Sequence, residues 1–296
     1  MKEIAVALGG GGARGSAHIG VLRALEKEGY HIAAVAGTSI GGLVAALYAA
    51  GYSPDEIEEK FSAVDQNKLY QLGLYNKPAL LGLGKVDNWL DKILDGKTFA
   101  ETRIPCALTA SDLNFNSEVT LNTGTLKNAI LATIAIPGVF PPHAKDDHYL
   151  VDGGLLNPVP VSLARELAPE LPVVAVALTA PLSSASSYYL PASLSSIIPN
   201  SIAKLITRLS VSQAMDVFLH SVDISNRAIT ELRLEKEPPD LLIRPAVDKI
   251  GLLDKIVVED VVRLGEEATE AVLPELARVM IRFNGFFNTL FRRKAS

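Results

Sequence analysis

Ser39 is the centre of a GTSIG pentapeptide that begins at Gly37 and ends at Gly41. It follows an apolar run at residues 32–36 and precedes a helical run at residues 43–50. A nucleophilic serine between a strand and a helix sits on a sharp turn, where side chains two residues to either side would collide. The helix that follows directs free N–H groups toward the serine, where they favour developing negative charge. The pentapeptide predicts a nucleophile; a plain glycine-rich turn in which Ser39 caps the helix is the alternative.

A glycine run, GGGGARG at residues 9–15, follows the first apolar stretch. It contains the GxGxxG spacing of dinucleotide-binding loops, but that interpretation needs an acidic residue at the end of the second strand, and residues 36–39 supply none. A phosphate-binding P-loop is disfavoured because no Gly-Lys-Ser/Thr follows. Consecutive glycines let backbone N–H groups approach a substrate oxygen closely, and a nearby arginine adds positive charge. The predicted oxyanion-hole residues are Gly10, Gly11, Gly12 and Arg14.

Asp152 ends an apolar run at residues 149–152 and is followed by Gly153 and Gly154. A strand that delivers a carboxylate into a double glycine is typical of a catalytic loop. Asp-Gly is also a frequent turn pair, so an ordinary turn stays open as the alternative. In the catalytic interpretation, Asp152 is the base that serves Ser39.

The histidines give little support to a conventional Ser–Asp–His triad. The chain has five of them: His18, His31, His143, His148 and His220. Such a triad places its histidine after the acid in chain order, and only His220 satisfies that order. No histidine pair or His/Cys cluster has the spacing of metal ligands, so the sequence predicts neither a metal nor a cofactor.

Composition excludes several classes of protein. The chain has 296 residues, 48% hydrophobic, with a formal net charge of -5, so no global basic field favours nucleic acid. A single cysteine, Cys106, allows no intrachain disulfide and suits a reducing compartment. We recognise no signal peptide and no uninterrupted apolar segment of about 18 residues. We therefore expect a cytoplasmic protein, either soluble or peripheral at the membrane.

Strand and helix patterns alternate through the first 65 residues, which predicts an α/β protein with a mostly parallel sheet covered by helices. Later apolar runs predict further strands at residues 104–109, 118–122, 149–152, 173–178 and 241–243. We find no internal repeat and no linker, so we expect a single domain over residues 1–296. Its core is expected at residues 4–180 together with a strand near 241–245.

Two segments differ from this core. Residues 180–233 begin with a serine-rich, proline-punctuated stretch and are expected to form an insertion or cap. Residues 276–296 form a basic tail that contains four of the nine phenylalanines. Arginine with interleaved phenylalanine suits peripheral contact with a membrane surface. A C-terminal helix whose apolar face packs on the domain explains the same pattern, and both interpretations stay open.

Taken in order, these motifs resemble the patatin-like phospholipase family. The matching segments are GGGARG at 10–15, HIGVL at 18–22, GTSIG at 37–41, IPGVFPP at 136–142, DGG at 152–154 and DLLIRP at 240–245. The resemblance covers most of residues 4–180. One departure is Thr133, where similar sequences often carry serine, and we expect no effect of it on the chemistry.

The resemblance implies a three-layer α/β/α fold, a modified form of the α/β-hydrolase fold. It also implies a Ser39–Asp152 dyad without a catalytic histidine, and an oxyanion hole formed by N–H groups around Gly11 and Gly12. The implied activity is hydrolysis of lipid or fatty-acyl esters, as by a phospholipase A, lysophospholipase or carboxylesterase. The alternatives are a triad esterase that uses His220 and a non-catalytic lipid-binding regulatory protein.

Overall fold

The structure is a computed structural model that describes residues 2–66, 71–72, 81–182 and 207–294. Its strands are β1 (Lys2–Leu8), β2 (Tyr30–Thr38), β3 (Gln71–Leu72), β4 (Leu81–Gly82), β5 (Cys106–Asp112), β6 (Ser117–Leu121), β7 (His143–Lys145), β8 (His148–Asp152), β9 (Val173–Val176) and β10 (Leu241–Ile243). Its helices are α1 (Ala17–Lys27), α2 (Ile40–Ala49), α3 (Pro54–Ser62), α4 (Gly84–Leu94), α5 (Leu126–Thr133), α6 (Val161–Leu167), α7 (Thr207–Lys236) and α8 (Val258–Lys294).

Eight of the strands form one central sheet in the order β10-β9-β1-β2-β5-β8-β7, with β6 paired to β5 outside this path. The strands from β10 to β5 pair in parallel, whereas β6, β7 and β8 pair antiparallel. The short strands β3 and β4 pair separately. The mostly parallel α/β sheet predicted from the sequence is confirmed.

Strand β5 explains how two distant parts of the chain meet. Its first half pairs in parallel with β2, and Thr109 lies opposite Thr38. Its second half pairs antiparallel with β8, and Ala110 lies opposite Asp152. Because β6 pairs along residues 108–112 and so occupies the other edge, β2 and β8 share one edge of β5. They run toward each other and end at neighbouring residues.

The two faces of the sheet bury different side chains, because successive residues of a strand point to opposite faces. In β1, Ile4, Val6 and Leu8 belong to a large apolar core with α1, α2, α5 and α8. Ala5 and Ala7 face a smaller core with α6, built mainly of alanine and valine. Helices therefore cover both faces, which gives the three-layer arrangement.

The two unusual segments are partly helical. Helix α7, residues 207–236, covers the second half of the predicted insertion and extends three residues past it, while residues 183–206 lie outside the described residues. The predicted tail is continuous with α8, and Leu276, Val279 and Met280 in its first turns are buried. Side chains beyond residue 283 are not described, so membrane contact by the tail stays a prediction. Among the described residues, no helix combines the length and apolarity needed to cross a bilayer.

Helices α1 and α8 cross at two glycines. A Cβ atom on Gly20 would lie 1.9 Å from the carbonyl oxygen of Val262, and one on Gly265 would lie 1.9 Å from that of Ala17. Each glycine thus allows one helix backbone to approach the other directly. This crossing seats α8 against the helix that follows the glycine run.

We predict that Gly265→Ala lowers the free energy of unfolding by about 2 kcal/mol, since the added methyl group must push the two helices apart. Gly84→Ala is the matched control, because a Cβ there would meet nothing within 4 Å. That change should leave stability unchanged or raise it by about 0.5 kcal/mol. Urea unfolding compares the two variants, and equal stabilities would contradict the close crossing.

Candidate active site

Ser39 occupies a strained turn between β2 and α2. Its φ of 55° and ψ of -127° are unusual for a residue with a side chain. A Cβ atom on Gly37 would lie 2.4 Å from the carbonyl oxygen of Gly41, and one on Gly41 would lie 2.3 Å from that of Leu8. The turn therefore leaves no room for side chains at either position, and it places Ser39 at the end of the parallel strand β2.

A buried threonine holds this turn from the side. The backbone N–H of Ser39 donates to Oγ1 of Thr133 at the end of α5, over 2.8 Å. Thr133 is fully buried. We expected no effect of this residue on the chemistry, yet its hydroxyl contacts the serine directly. Serine and threonine both carry a side-chain hydroxyl, so either residue type can accept this bond. The hydroxyl that both residue types share is the sequence feature that could have indicated a contact at position 133.

Asp152 bonds directly to Ser39. The Oγ of Ser39 donates to Oδ2 of Asp152 over 2.5 Å, and the backbone N–H of Gly154 donates to Oδ1 over 2.8 Å. Both side chains are buried, with 6% of each residue exposed. Burial raises the pKa of Asp152 from its ordinary value of 3.8 to about 6, although the two hydrogen bonds act against that rise.

The loop that follows Asp152 packs tightly on β5. A Cβ atom on Gly153 would lie 2.2 Å from Oγ1 of Thr109. That hydroxyl lies 2.8 Å from Oγ1 of Thr38, which in turn donates to the carbonyl of Asn157 over 2.8 Å. The residue before the serine is thus linked to the loop after the carboxylate, which fixes the two parts of the site relative to each other.

The glycine run at residues 9–15 lies beside Ser39. A Cβ atom on Gly10 would lie 3.4 Å from the Cβ of Ser39. The N–H of Gly10 donates to the carbonyl of Pro158 over 2.9 Å, so this N–H already has an acceptor, and the assignment of Gly10 to the oxyanion hole stays a prediction. Within the described ranges, the N–H groups of Gly11 and Gly12 have no acceptor. Their role as donors to a substrate oxygen stays a prediction.

Arg14 and His18 anchor opposite ends of the glycine run: Arg14 near its last residue, and His18 at its first residue, Gly9. The Arg14 guanidinium bonds to the Asp223 carboxylate and to the carbonyl of Ile250, so a buried carboxylate balances its charge. We predicted Arg14 as support for the oxyanion hole, and the structure places it behind the loop. His18 is fully buried, its Nε2 lies 2.7 Å from the carbonyl of Gly9, and burial lowers its pKa to about 4. It is therefore neutral at physiological pH and donates to that carbonyl.

The other histidines have different surroundings. His143 and His148 lie on the β7–β8 hairpin, and Nδ1 of His148 bonds to the buried carboxylate of Asp112. His220 lies on α7. None of the hydrogen bonds made by Ser39 and Asp152 within the described part of the chain involves a histidine.

A cavity of about 280 Å³ opens beside Ser39. Most of the residues that line it are apolar, among them Ile40, Leu43, Phe61, Trp89, Ile134 and Phe140. Polar side chains also border it, namely Gln66, Asp254 and Lys255. A narrow apolar cavity with a few polar groups suits a ligand that has a hydrocarbon part and a polar part.

The fold is patatin-like, with a mostly parallel sheet between helix layers and a serine on the turn after β2. A family model described as patatin-like phospholipase matches residues 6–165, which is more than half of the chain. The chain belongs to the patatin-like phospholipase family. The matched range contains Ser39, Asp152 and the whole glycine run, whereas α7 and α8 lie beyond it.

Individual relatives agree with this assignment. An NTE family protein from Mycobacterium tuberculosis is 39% identical over 163 residues, which cover 54% of this chain and 45% of the relative. Patatin-like phospholipase domain-containing protein 6 from Homo sapiens is 31% identical over 173 residues, 56% of this chain and 13% of that protein. The chain thus spans less than half the length of either relative.

Among solved structures, VipD from Legionella pneumophila matches with a TM-score of 0.53 at 13% sequence identity. The match covers 93% of this chain and 67% of VipD. At this identity the similarity shows the shared fold alone.

The raised pKa of Asp152 predicts a measurable effect on stability. A carboxylate with a folded-state pKa of about 6 and an unfolded-state pKa near 3.8 destabilises the folded protein once it ionises. At about 1.4 kcal/mol per pKa unit, that cost is absent below pH 3.8 and reaches about 3 kcal/mol above pH 6. Asp152→Asn should therefore be more stable than the wild type at pH 8, by up to that amount, and the difference should shrink toward pH 4.

Chemical unfolding at pH 8 and pH 4.5 measures this difference. Asp147→Asn, in the exposed turn of the β7–β8 hairpin, is the control, and it should shift stability by less than about 0.5 kcal/mol at either pH. A gain for Asp152→Asn that is equal at both pH values would show that burial of the charge is not its cause.

Proposed function

We propose that this chain is a serine lipid acyl hydrolase that cleaves fatty-acyl esters through a Ser39–Asp152 dyad. The observation that carries the proposal is the direct 2.5 Å hydrogen bond from the Ser39 hydroxyl to a buried carboxylate, beside an apolar cavity. Membership of the patatin-like phospholipase family supports the same class of reaction. The names of its relatives supply phospholipase as the first activity to test.

In the acylation step, Asp152 takes the hydroxyl proton while Oγ of Ser39 attacks the ester carbonyl carbon. The carbonyl electron pair moves onto oxygen, and the N–H groups of Gly11 and Gly12 stabilise the resulting oxyanion. The intermediate then collapses, the carbon–oxygen bond to the leaving group breaks, and Asp152 returns its proton to the departing alcohol or lysolipid.

In the deacylation step, Asp152 takes a proton from water, and the hydroxide attacks the acyl-Ser39 carbonyl. Collapse of the second intermediate breaks the bond to Oγ, which recovers the proton from Asp152, and the fatty acid leaves. A carboxylate with an ordinary pKa is a weak base at neutral pH. Burial raises the pKa of Asp152 to about 6, which brings its basicity closer to the pH at which it works.

The cavity indicates where the acyl chain would lie. Ser39 lines it together with apolar residues that include Ile40, Leu43 and Trp89. A hydrocarbon chain placed there brings its ester carbonyl to Ser39 and leaves the alcohol part toward the polar border. This placement is compatible with phospholipase A, lysophospholipase and small-ester substrates, which share the acyl group.

We predict that Ser39→Ala and Asp152→Asn each lower kcat by a factor of at least about 10³, because each removes one partner of the dyad. His220→Ala should retain activity within about twofold, which separates the dyad from a triad. The measurement is ester hydrolysis by purified protein, with p-nitrophenyl esters of increasing chain length and a panel of phospholipids and lysophospholipids. Full activity of Ser39→Ala would overturn the proposal, and a large loss in His220→Ala would favour the triad.

The pH dependence of kcat/KM provides a second test. Asp152 must be ionised to accept the proton, so kcat/KM should rise with pH through a midpoint near 6 and level off above it. An ordinary aspartate would give a midpoint near 4. Steady-state rates from pH 4 to pH 9 locate the midpoint. A value near 4 would mean that the ionised base is not held in a buried site.

A further inference from the structure

We propose that Asp223 on α7 is a positioning residue that sets the oxyanion-hole loop through Arg14. The inference rests on the proposed function, since it concerns the orientation of the Gly11 and Gly12 N–H groups during ester hydrolysis. Asp223 lies in the segment that the sequence suggested as an insertion or cap, outside the range matched by the family model. It touches neither Ser39 nor Asp152 through any hydrogen bond of the described residues.

The contact itself is buried and directional. Nη1 of Arg14 lies 2.8 Å from Oδ1 of Asp223 and Nη2 lies 3.5 Å from Oδ2, so the guanidinium faces both carboxylate oxygens. Nε donates to the carbonyl of Ile250 over 2.6 Å. Only 4% of Arg14 and 5% of Asp223 is exposed. Such a planar, bidentate arrangement fixes orientation as well as distance.

Arg14 is only two or three residues from the proposed N–H donors Gly12 and Gly11, so its position affects theirs. It lies in the single 3-10 turn that runs from Gly12 to Ser16, and its own backbone N–H donates to the carbonyl of Gly11 over 3.2 Å. The preceding N–H, that of Ala13, donates to the carbonyl of Leu252 over 2.9 Å. Moving the Arg14 side chain therefore moves the peptide units that carry the oxyanion donors.

A direct electrostatic role for Arg14 fits the geometry less well. Its guanidinium is paired with a buried carboxylate, so the pair has no net charge to offer a developing oxyanion. Arg14 is also not among the residues that line the cavity, whereas Gly12 and Ala13 are. The pair acts on the reaction by holding the loop in place.

The same helix also reaches the loop of the base. The side-chain nitrogen of Asn226, one turn after Asp223, lies 3.6 Å from the position of a Cβ atom on Gly154, whose N–H bonds to Asp152. Further along, Nε of Arg233 donates to the carbonyl of Leu156 over 3.1 Å. Helix α7 thus contacts both the glycine run at residues 9–15 and the loop that follows Asp152. It therefore holds these two loops in place relative to each other.

The test must separate positioning from folding, because removing one partner alone leaves a buried charge unpaired. A double variant, Arg14→Met with Asp223→Leu, avoids this problem, since apolar residues of similar volume often replace a buried ion pair without loss of stability. We expect its kcat for p-nitrophenyl butyrate to fall about 10- to 100-fold, because misplaced catalytic groups and lost oxyanion donors cost factors of that order. KM and the unfolding midpoint should remain close to those of the wild type.

The matched control is the pair formed by Arg244 and Glu231. It is also an arginine–carboxylate pair, although a more exposed one: Arg244 bonds to Glu231 of α7 over 2.5 Å and to the carbonyl of Thr179 over 2.8 Å. Among the described residues, neither member bonds to the glycine run or to the loop after Asp152. The double variant Arg244→Met with Glu231→Leu should keep kcat within about twofold. Arg14→Lys retains the charge without the planar fork, and it should give an intermediate kcat.

Each outcome has a distinct meaning. Unchanged kcat in a folded Arg14→Met, Asp223→Leu protein would overturn the positioning role. Equal losses in both double variants would also overturn it, because they would show that α7 contributes only general packing. An inactive wild type would instead refute the proposed function, so the two failures can be told apart.

Discussion

The site depends on the way two strands end against each other on one edge of β5. Strand β2 runs up this edge in parallel and stops at Thr38, while β8 runs down it antiparallel and stops at Asp152. The two ends meet at neighbouring positions of β5, Thr109 and Ala110, so the hydroxyl of Ser39 and the carboxylate come within 2.5 Å. An all-parallel sheet would place the last residue of every strand side by side, without this end-to-end approach.

This closeness has a physical cost. Asp152 is taken out of water, which raises its pKa to about 6, and Ser39 is held at a positive φ. Both features reduce stability, and neither would persist unless the surroundings fixed them. The structure supplies that support through Thr133, which accepts from the Ser39 N–H, and through the hydrogen-bonded hydroxyls of Thr38 and Thr109. The short contact between Ser39 and Asp152 and the strain at Ser39 thus come from one arrangement.

The sequence predicted the parts of this arrangement that have local signatures. Apolar runs ending in glycine indicated β1 and β2, and the GTSIG and DGG motifs indicated the two turns at Ser39 and Asp152. The sequence did not predict contacts between residues far apart in the chain, such as that of Arg14 with Asp223. The spacing of polar residues does not show which distant residue each of them contacts. The serines and prolines after residue 180 predict an insertion or cap over residues 180–233, and that role stays a prediction. Residues 207–236 contain neither glycine nor proline, and they form the long helix α7.

The range that the family model matches contains the proposed catalytic residues, but it does not by itself hold them in place. Within it lie Ser39 and Asp152, whereas several anchors of the glycine run come from later in the chain. Arg14 bonds to Asp223 and to the carbonyl of Ile250, and Ala13 donates to the carbonyl of Leu252. These bonds place α7 and the loop that follows β10 directly against the glycine run that carries the proposed oxyanion donors. Two members of one fold family with the same serine and aspartate can differ in rate through residues that never touch the substrate.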